Sequence, residues 1–140
     1  MRFMMLTKEH EQPNSDKLPD AGGTAAMMKY MESLEKAGVL VAFDGLRSTS
    51  MGAEVSFSEG KPVVTDGPFS ETKEVIGGYW MIQVNSKEEA IAWAKRCPAF
   101  PDFAFEIRQV LEFSDFPAEV QEAAAVYPRL KAQCARRTRT

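Results

Sequence analysis

Apolar positions recur along this chain with two different periods. Residues 2–7, 39–43, 77–84 and 103–113 are short apolar runs that read as strands. Residues 24–37 place Met27, Met28, Met31 and Leu34 at helical spacing, and Gly38 follows as a natural C-terminal stop. Residues 53–58 alternate at period two, Glu59-Gly60-Lys61 turns, and residues 62–65 return, with Pro62 marking an edge or a strand start. Ser86-Lys87-Glu88-Glu89 is a capping box for a helix that runs to Cys97, where Pro98 stops it. Ser86 is expected to cap, and Glu89 to reach back to its amide. Residues 9–23 are a polar loop, and residues 117–127, rich in Ala and Glu, read as a terminal helix. The order is strand, helix, strand, inserted hairpin, strand, helix, strand, tail helix. This is an α+β class chain with the split β-α-β, ferredoxin-like arrangement and an antiparallel sheet. The expected division is an α+β domain over residues 1–113 and a C-terminal helix with a basic tail over residues 114–140.

The strand faces carry a second message. Phe3 and Met5 oppose Met4 and Leu6, Leu40 and Ala42 oppose Val41 and Phe43, and Trp80, Ile82 and Val84 oppose Tyr79 and Met81. Both faces are apolar, whereas a half-exposed antiparallel sheet alternates apolar with polar residues. Two helices cover only one face. A second copy packed sheet to sheet, around a barrel-like space, is the simplest cover for the other; the alternative is a monomer whose tail helix covers it. In the last strand Phe103, Phe105 and Ile107 share a face, and Glu106, Arg108 and Val110 share the opposite one. With the phenylalanines toward the helices, Glu106 and Arg108 face the space between the sheets as a structural salt bridge or a substrate-orienting pair.

Composition narrows the chemistry. The 140 residues contain one histidine and two cysteines, which excludes, within one chain, a three-histidine zinc site, a four-cysteine zinc site and a disulfide framework. A catalytic triad would have to use His10. Haem ligation by a histidine meets the same obstacle, so no cofactor is expected. Net charge is −3, unevenly spread: residues 129–140 hold five basic and no acidic side chains, leaving 12 basic against 20 acidic elsewhere. An acidic body argues against nucleic-acid binding, and the basic tail reads as a solvated, fraying terminus. The longest apolar runs are too short for a membrane span or a signal peptide, and the separated Cys97 and Cys134 fit a reducing, cytoplasmic setting. Cys97 reads as a small buried hydrophobe, and the methionines as adaptable core.

The segment from Thr65 to Glu74 is the most informative. Asp66-Gly67-Pro68 forces a sharp turn, because Gly permits unusual dihedrals and Pro restrains both itself and Gly67. Phe69 anchors it on apolar surface, and Asp66, Glu71, Lys73 and Glu74 crowd within nine residues. A carboxylate raised in pKa beside Phe69 or Trp80 would serve as general acid or base; the plainer reading is a rigid loop with a solvated charge run.

Asp66-Gly67-Pro68-Phe69, followed by Glu71-Thr72-Lys73-Glu74 and Gly77-Gly78-Tyr79, resembles the signature of the YCII-related family with the DGPF motif. Ala37-Gly38-Val39-Leu40, Gly60-Lys61-Pro62-Val63-Val64-Thr65, Ala94-Lys95-Arg96-Cys97-Pro98 and Glu106-Ile107-Arg108 agree with it, so the resemblance runs from about Met1 to Val110. It implies a dimeric α+β barrel and a biochemical function that is mostly unassigned. More distant YCII-like proteins use a histidine near the start of the first helix with an aspartate; that place here is near Met27, without a histidine, so the dyad does not transfer.

Two function classes follow. In the first, the protein is a small-molecule enzyme of isomerase or lyase type with a pocket between the sheets. Asp66 or Glu71 is the general base, Arg108 orients the carboxylate of a small organic acid, Phe69 and Trp80 close an apolar wall, and Gly67, Pro68, Glu74 and Glu106 complete the binding set. In the second, implied by the resemblance, it is a non-catalytic ligand-binding or regulatory partner of an extracytoplasmic-function sigma factor.

Overall fold

The computed structural model describes residues 1–9, 21–68, 74–98 and 103–136. The chain divides into two compact units, Met1–Arg108 and Gln109–Thr140.

The first unit is built from β1 (Arg2–Glu9), α1 (Ala21–Lys36), β2 (Leu40–Gly45), β3 (Ala53–Ser58), β4 (Lys61–Asp66), β5 (Val75–Gln83), α2 (Lys87–Lys95) and β6 (Phe103–Gln109). Four strands form one sheet in the order β2-β5-β1-β6, and β3 and β4 form a separate two-stranded ribbon. With the ribbon set aside, this is the expected ferredoxin-like order. β5 lies antiparallel between β1 and β2.

Phe3 stands opposite Ile82 and Met5 opposite Trp80. These four, with Val84, are buried together with Tyr30 and Leu34 of α1 and Ala90 of α2. Both helices therefore cover the same face. Trp80 meets Tyr30 and Phe105 edge-on, at centroid distances of 6.1 and 5.4 Å. The Tyr30 hydroxyl donates to the Trp93 carbonyl at 2.8 Å and ties the two helices together.

The local signals act largely as expected. α1 ends in a Schellman motif: the Gly38 amide donates to Glu35 and the Val39 amide to Leu34, with Gly38 at φ 71°. The helix begins three residues before the expected start, at Ala21. At α2 the Ser86 hydroxyl accepts from the Glu89 amide, but the Glu89 carboxylate takes the amide of Asn85, not that of Ser86. At the ribbon tip Glu59 and Gly60 both have positive φ, 50° and 77°, the pattern of a two-residue type I′ turn.

Strand β2 departs from simple alternation. Leu40 pairs with Ile82, yet Ala42 pairs with Met81 and Phe43 with Trp80, because a bulge inserts one extra residue between Leu40 and Ala42. Leu40 and Ala42 thus lie on opposite faces, not the same one. Phe43 joins the Trp80 side, and Asp44 the Tyr79 side.

The base of the ribbon is sterically closed. Gly67 donates its amide to the Gly52 carbonyl at 3.0 Å. A Cβ on Gly67 would overlap the Thr49 carbonyl, whereas one on Gly52 would meet the same oxygen at an ordinary 3.5 Å.

In the second unit a short 3-10 turn, Phe113–Asp115, precedes α3 (Ala118–Ala123), and α4 (Pro128–Arg136) follows another such turn. The single expected helix over residues 117–127 is thus a shorter one, and the expected solvated tail contains a helix. Pro128 explains this: it cannot continue α3, but its fixed φ suits the first position of a new helix.

Two predictions follow from the packing. Burial pushes the Tyr30 phenol well above its ordinary value; Cys97 adds to this and Arg96 opposes it. Below about pH 10 the phenol is neutral in both states, and above it the unfolded chain ionises first, so stability falls as pH rises. Tyr30→Phe, by urea unfolding, should lose about 1–2 kcal/mol at neutral pH and show a flatter decline on the alkaline side; an unchanged alkaline slope would contradict this. Gly67→Ala should cost about 1–3 kcal/mol by overpacking against a backbone that cannot yield, while Gly52→Ala serves as the nearly silent control in the same thermal melts.

Candidate functional site

The sheet face turned away from α1 and α2 carries the candidate chemistry. Period-two alternation puts Met4 and Leu6 of β1 and Tyr79 and Met81 of β5 on it, all half-buried. Met4 stands opposite Met81 and Leu6 opposite Tyr79, which makes an apolar floor. At its β2 edge the Tyr79 hydroxyl donates to Asp44 Oδ2 at 2.6 Å. That is the short, charge-assisted geometry of a phenol held by a carboxylate. Gly78 allows the close approach, since a Cβ there would meet the Asp44 carbonyl oxygen at 2.6 Å. On the helix side of the same strands, the Thr7 hydroxyl donates to the Gly78 carbonyl.

The bulge in β2 is what brings Asp44 to this face. With uninterrupted alternation from Leu40, Asp44 would point toward the helices. The pair was therefore not readable from the pattern alone. Its one signal in the sequence is a carboxylate ending an otherwise apolar strand; Gly77-Gly78-Tyr79 lies three strands further along the chain, although next to it in the sheet.

The other expected site residues are dispersed. Glu106 and Arg108 lie exposed on β6, on the face opposite Phe105 and Ile107, and form no salt bridge with each other. β6 and β2 are the two edges of the sheet, so three strand spacings, about 14 Å, separate Arg108 from Asp44. Asp66 pairs with Ala53 at the exposed base of the ribbon. Gly67 is committed to packing there, and Pro68 follows through a cis peptide. Glu74 pairs with Lys8 at 3.2 Å. Trp80 is in the core against Tyr30 and Phe105, not on the face turned away from the helices; its indole Nε1 is buried without an acceptor among the described residues. Phe69, Glu71 and His10 lie outside the described residues.

Cys97 packs half-buried against the core, and burial pushes its thiol up to about 11, so it is protonated and a poor nucleophile at neutral pH. Among the described residues no group of three or more His, Cys, Asp or Glu side chains is placed to hold a metal ion. No helix among them is long and apolar enough to cross a membrane.

Comparison with known proteins gives the geometry a context. An uncharacterised protein of Rhizobium meliloti is 38% identical over 72 residues, which span 51% of this chain and 55% of that protein. Among solved structures, the 5-chloro-2-hydroxyhydroquinone dehydrochlorinase of Burkholderia phenoliruptrix, in complex with 2,5-dihydroxybenzoquinone, aligns with a TM-score of 0.42 and 16% identity, covering 84% of this chain and all of that one. The YCII-related domain matches residues 1–114. The chain belongs to the YCII-related family.

Proposed function

We propose that the open sheet face binds a small organic acid and performs acid–base chemistry on it, and that two copies face each other across this surface as a homodimer. The observation that carries the reading is the 2.6 Å hydrogen bond from Tyr79 to Asp44, set beside the apolar Met4, Leu6 and Met81. The Tyr79 phenol directs its proton at the Asp44 carboxylate, which lines up a relay from a ligand hydroxyl through Tyr79 to Asp44. A proton leaving the ligand then passes to Tyr79 as Tyr79 passes its own to Asp44, so Asp44 is the terminal base. Exclusion of water by the second sheet strengthens each of these contacts. Arg108 of the same chain is too far from Asp44 to hold the carboxylate of a small ligand, so the second copy supplies that cation.

Asp66 and Glu71 are the competing assignment for the base, and direct comparison separates them. A second reading is a non-catalytic ligand-binding or regulatory module, with a sigma factor as the partner to test. It is favoured by the dispersal of Asp66, Glu74, Glu106 and Arg108.

A thermal-shift screen of small organic acids should give a hit, since a ligand that binds only the folded state raises stability. Asp44→Asn and Arg108→Ala should each weaken that hit about 10- to 100-fold, the range of a hydrogen bond to a charged group. Tyr79→Phe should abolish any turnover while the ligand still binds. If Asp66→Asn alone removes turnover, the base is at Asp66; if the ligand binds all variants equally, the open face is not its site.

A further inference from the structure

A second recess lies among the helices of the first unit, on the other side of the sheet from the open face. It is a groove of about 510 Å³, within the range of small-ligand sites. Lys29, Tyr30, Glu32 and Lys36 of α1 line it, together with Arg96 and Pro98 just past α2. The two elements are tied to each other by the Tyr30 hydroxyl on the Trp93 carbonyl, so the groove sits on a fixed scaffold.

Its charge runs against that of the chain. Residues 1–128 hold 12 basic against 20 acidic side chains. In the groove three cations meet one carboxylate among the described residues. That carboxylate, Glu32, already pairs with Lys36 at 2.9 Å. Lys29 and Arg96 have no carboxylate partner among the described residues. Arg96 is held in place by another contact: its guanidinium lies over the Trp93 ring, 4.2 Å from the centroid. A guanidinium kept over an aromatic face retains its N–H edges for an oxyanion. Lys29 and Lys36, seven residues apart, share a face of α1 about 10 Å apart along the axis. The hydroxyls of the lining are spent internally, Tyr30 on Trp93 and Ser33 on the Tyr30 carbonyl. Recognition here is therefore by charge. One exposed cation holds an anion weakly, whereas a recess lined by one sign of charge concentrates its field on an anion with several charges.

We propose that this groove is a binding site for a small multivalent anion of the polyphosphate or polycarboxylate type, held between Lys29 on α1 and Arg96 at the end of α2, with Lys36 as the third cation. The site is independent of the open-face reading, because none of its residues lies on that face.

Titration calorimetry of the full chain with inorganic pyrophosphate, and separately with citrate, tests it. Salt is set at about 0.15 M, where charges more than ~8 Å apart on the surface are largely screened. The expected result is saturable binding of one anion per chain with a dissociation constant below about 1 mM. Lys29→Ala and Arg96→Ala should each weaken it about 10-fold or more, the range of a hydrogen bond to a charged group. Lys95→Ala removes an equal charge from an exposed position on α2 outside the groove and should bind as the wild type does. Tighter binding of pyrophosphate identifies a phosphate ligand, and tighter binding of citrate a carboxylate one. No saturable binding of either anion overturns the proposal, as does an unchanged affinity in Lys29→Ala and Arg96→Ala. An equal loss in Lys95→Ala overturns it too, since the attraction is then diffuse. Should Arg96→Ala not fold for want of its contact with Trp93, amide chemical shifts of the wild type give a second measurement. Shifts on adding pyrophosphate that are confined to residues 26–36 and 93–98 support the groove, and shifts elsewhere alone overturn it.

Discussion

The first unit depends on one cross-strand arrangement: Phe3 against Ile82 and Met5 against Trp80, on the two central strands, beneath α1 and α2. These side chains are large and apolar, and their removal from water is the main favourable term in forming this unit. Once that face is committed to the helices, strict period-two geometry commits Met4, Leu6, Tyr79 and Met81 to the other. The apolar floor of the candidate site is thus a consequence of the core. Only Asp44 needs a further device, the bulge in β2.

The elements were legible where local chemistry and hydrophobic period agreed. Gly38 after Leu34, Pro62 at a strand start and Ser86 before Glu89 each carry a mechanism, and each marks a boundary close to where it occurs. Legibility failed where one residue changes phase. The β2 bulge has no glycine or proline to announce it within residues 40–44, so alternation assigned Ala42 and Phe43 to the wrong faces and hid Asp44. Pro128 failed for a different reason, because the same residue ends one helix and begins another.

The site was legible as a neighbourhood more than as a set of partners. The two-faced apolar pattern was readable, but it put Trp80 at the site where the structure puts Tyr79, and of the DGPF segment the structure shows Gly67 lying against the Thr49 carbonyl. Residues close in sequence such as Asp66 and Glu74 are not close in role: one ends a ribbon strand, and the other pairs with Lys8. Asp44 and Tyr79, 35 residues apart, are the ones that touch. Sequence proximity is a weak guide when a hairpin is inserted between two sheet strands, because the insertion leaves the sheet and returns.

The bulge in β2 also sets what kind of change this protein can absorb over time. Most substitutions along β2 alter one side chain on one face. Pairing the same residues without the bulge would do something different in kind. It would turn Phe43 away from the Trp80 side and Asp44 toward it. Deleting the extra residue would instead straighten the strand and leave Asp44 opposite Tyr79, so it is the match between bulge and residue count that holds the acidic group on its face.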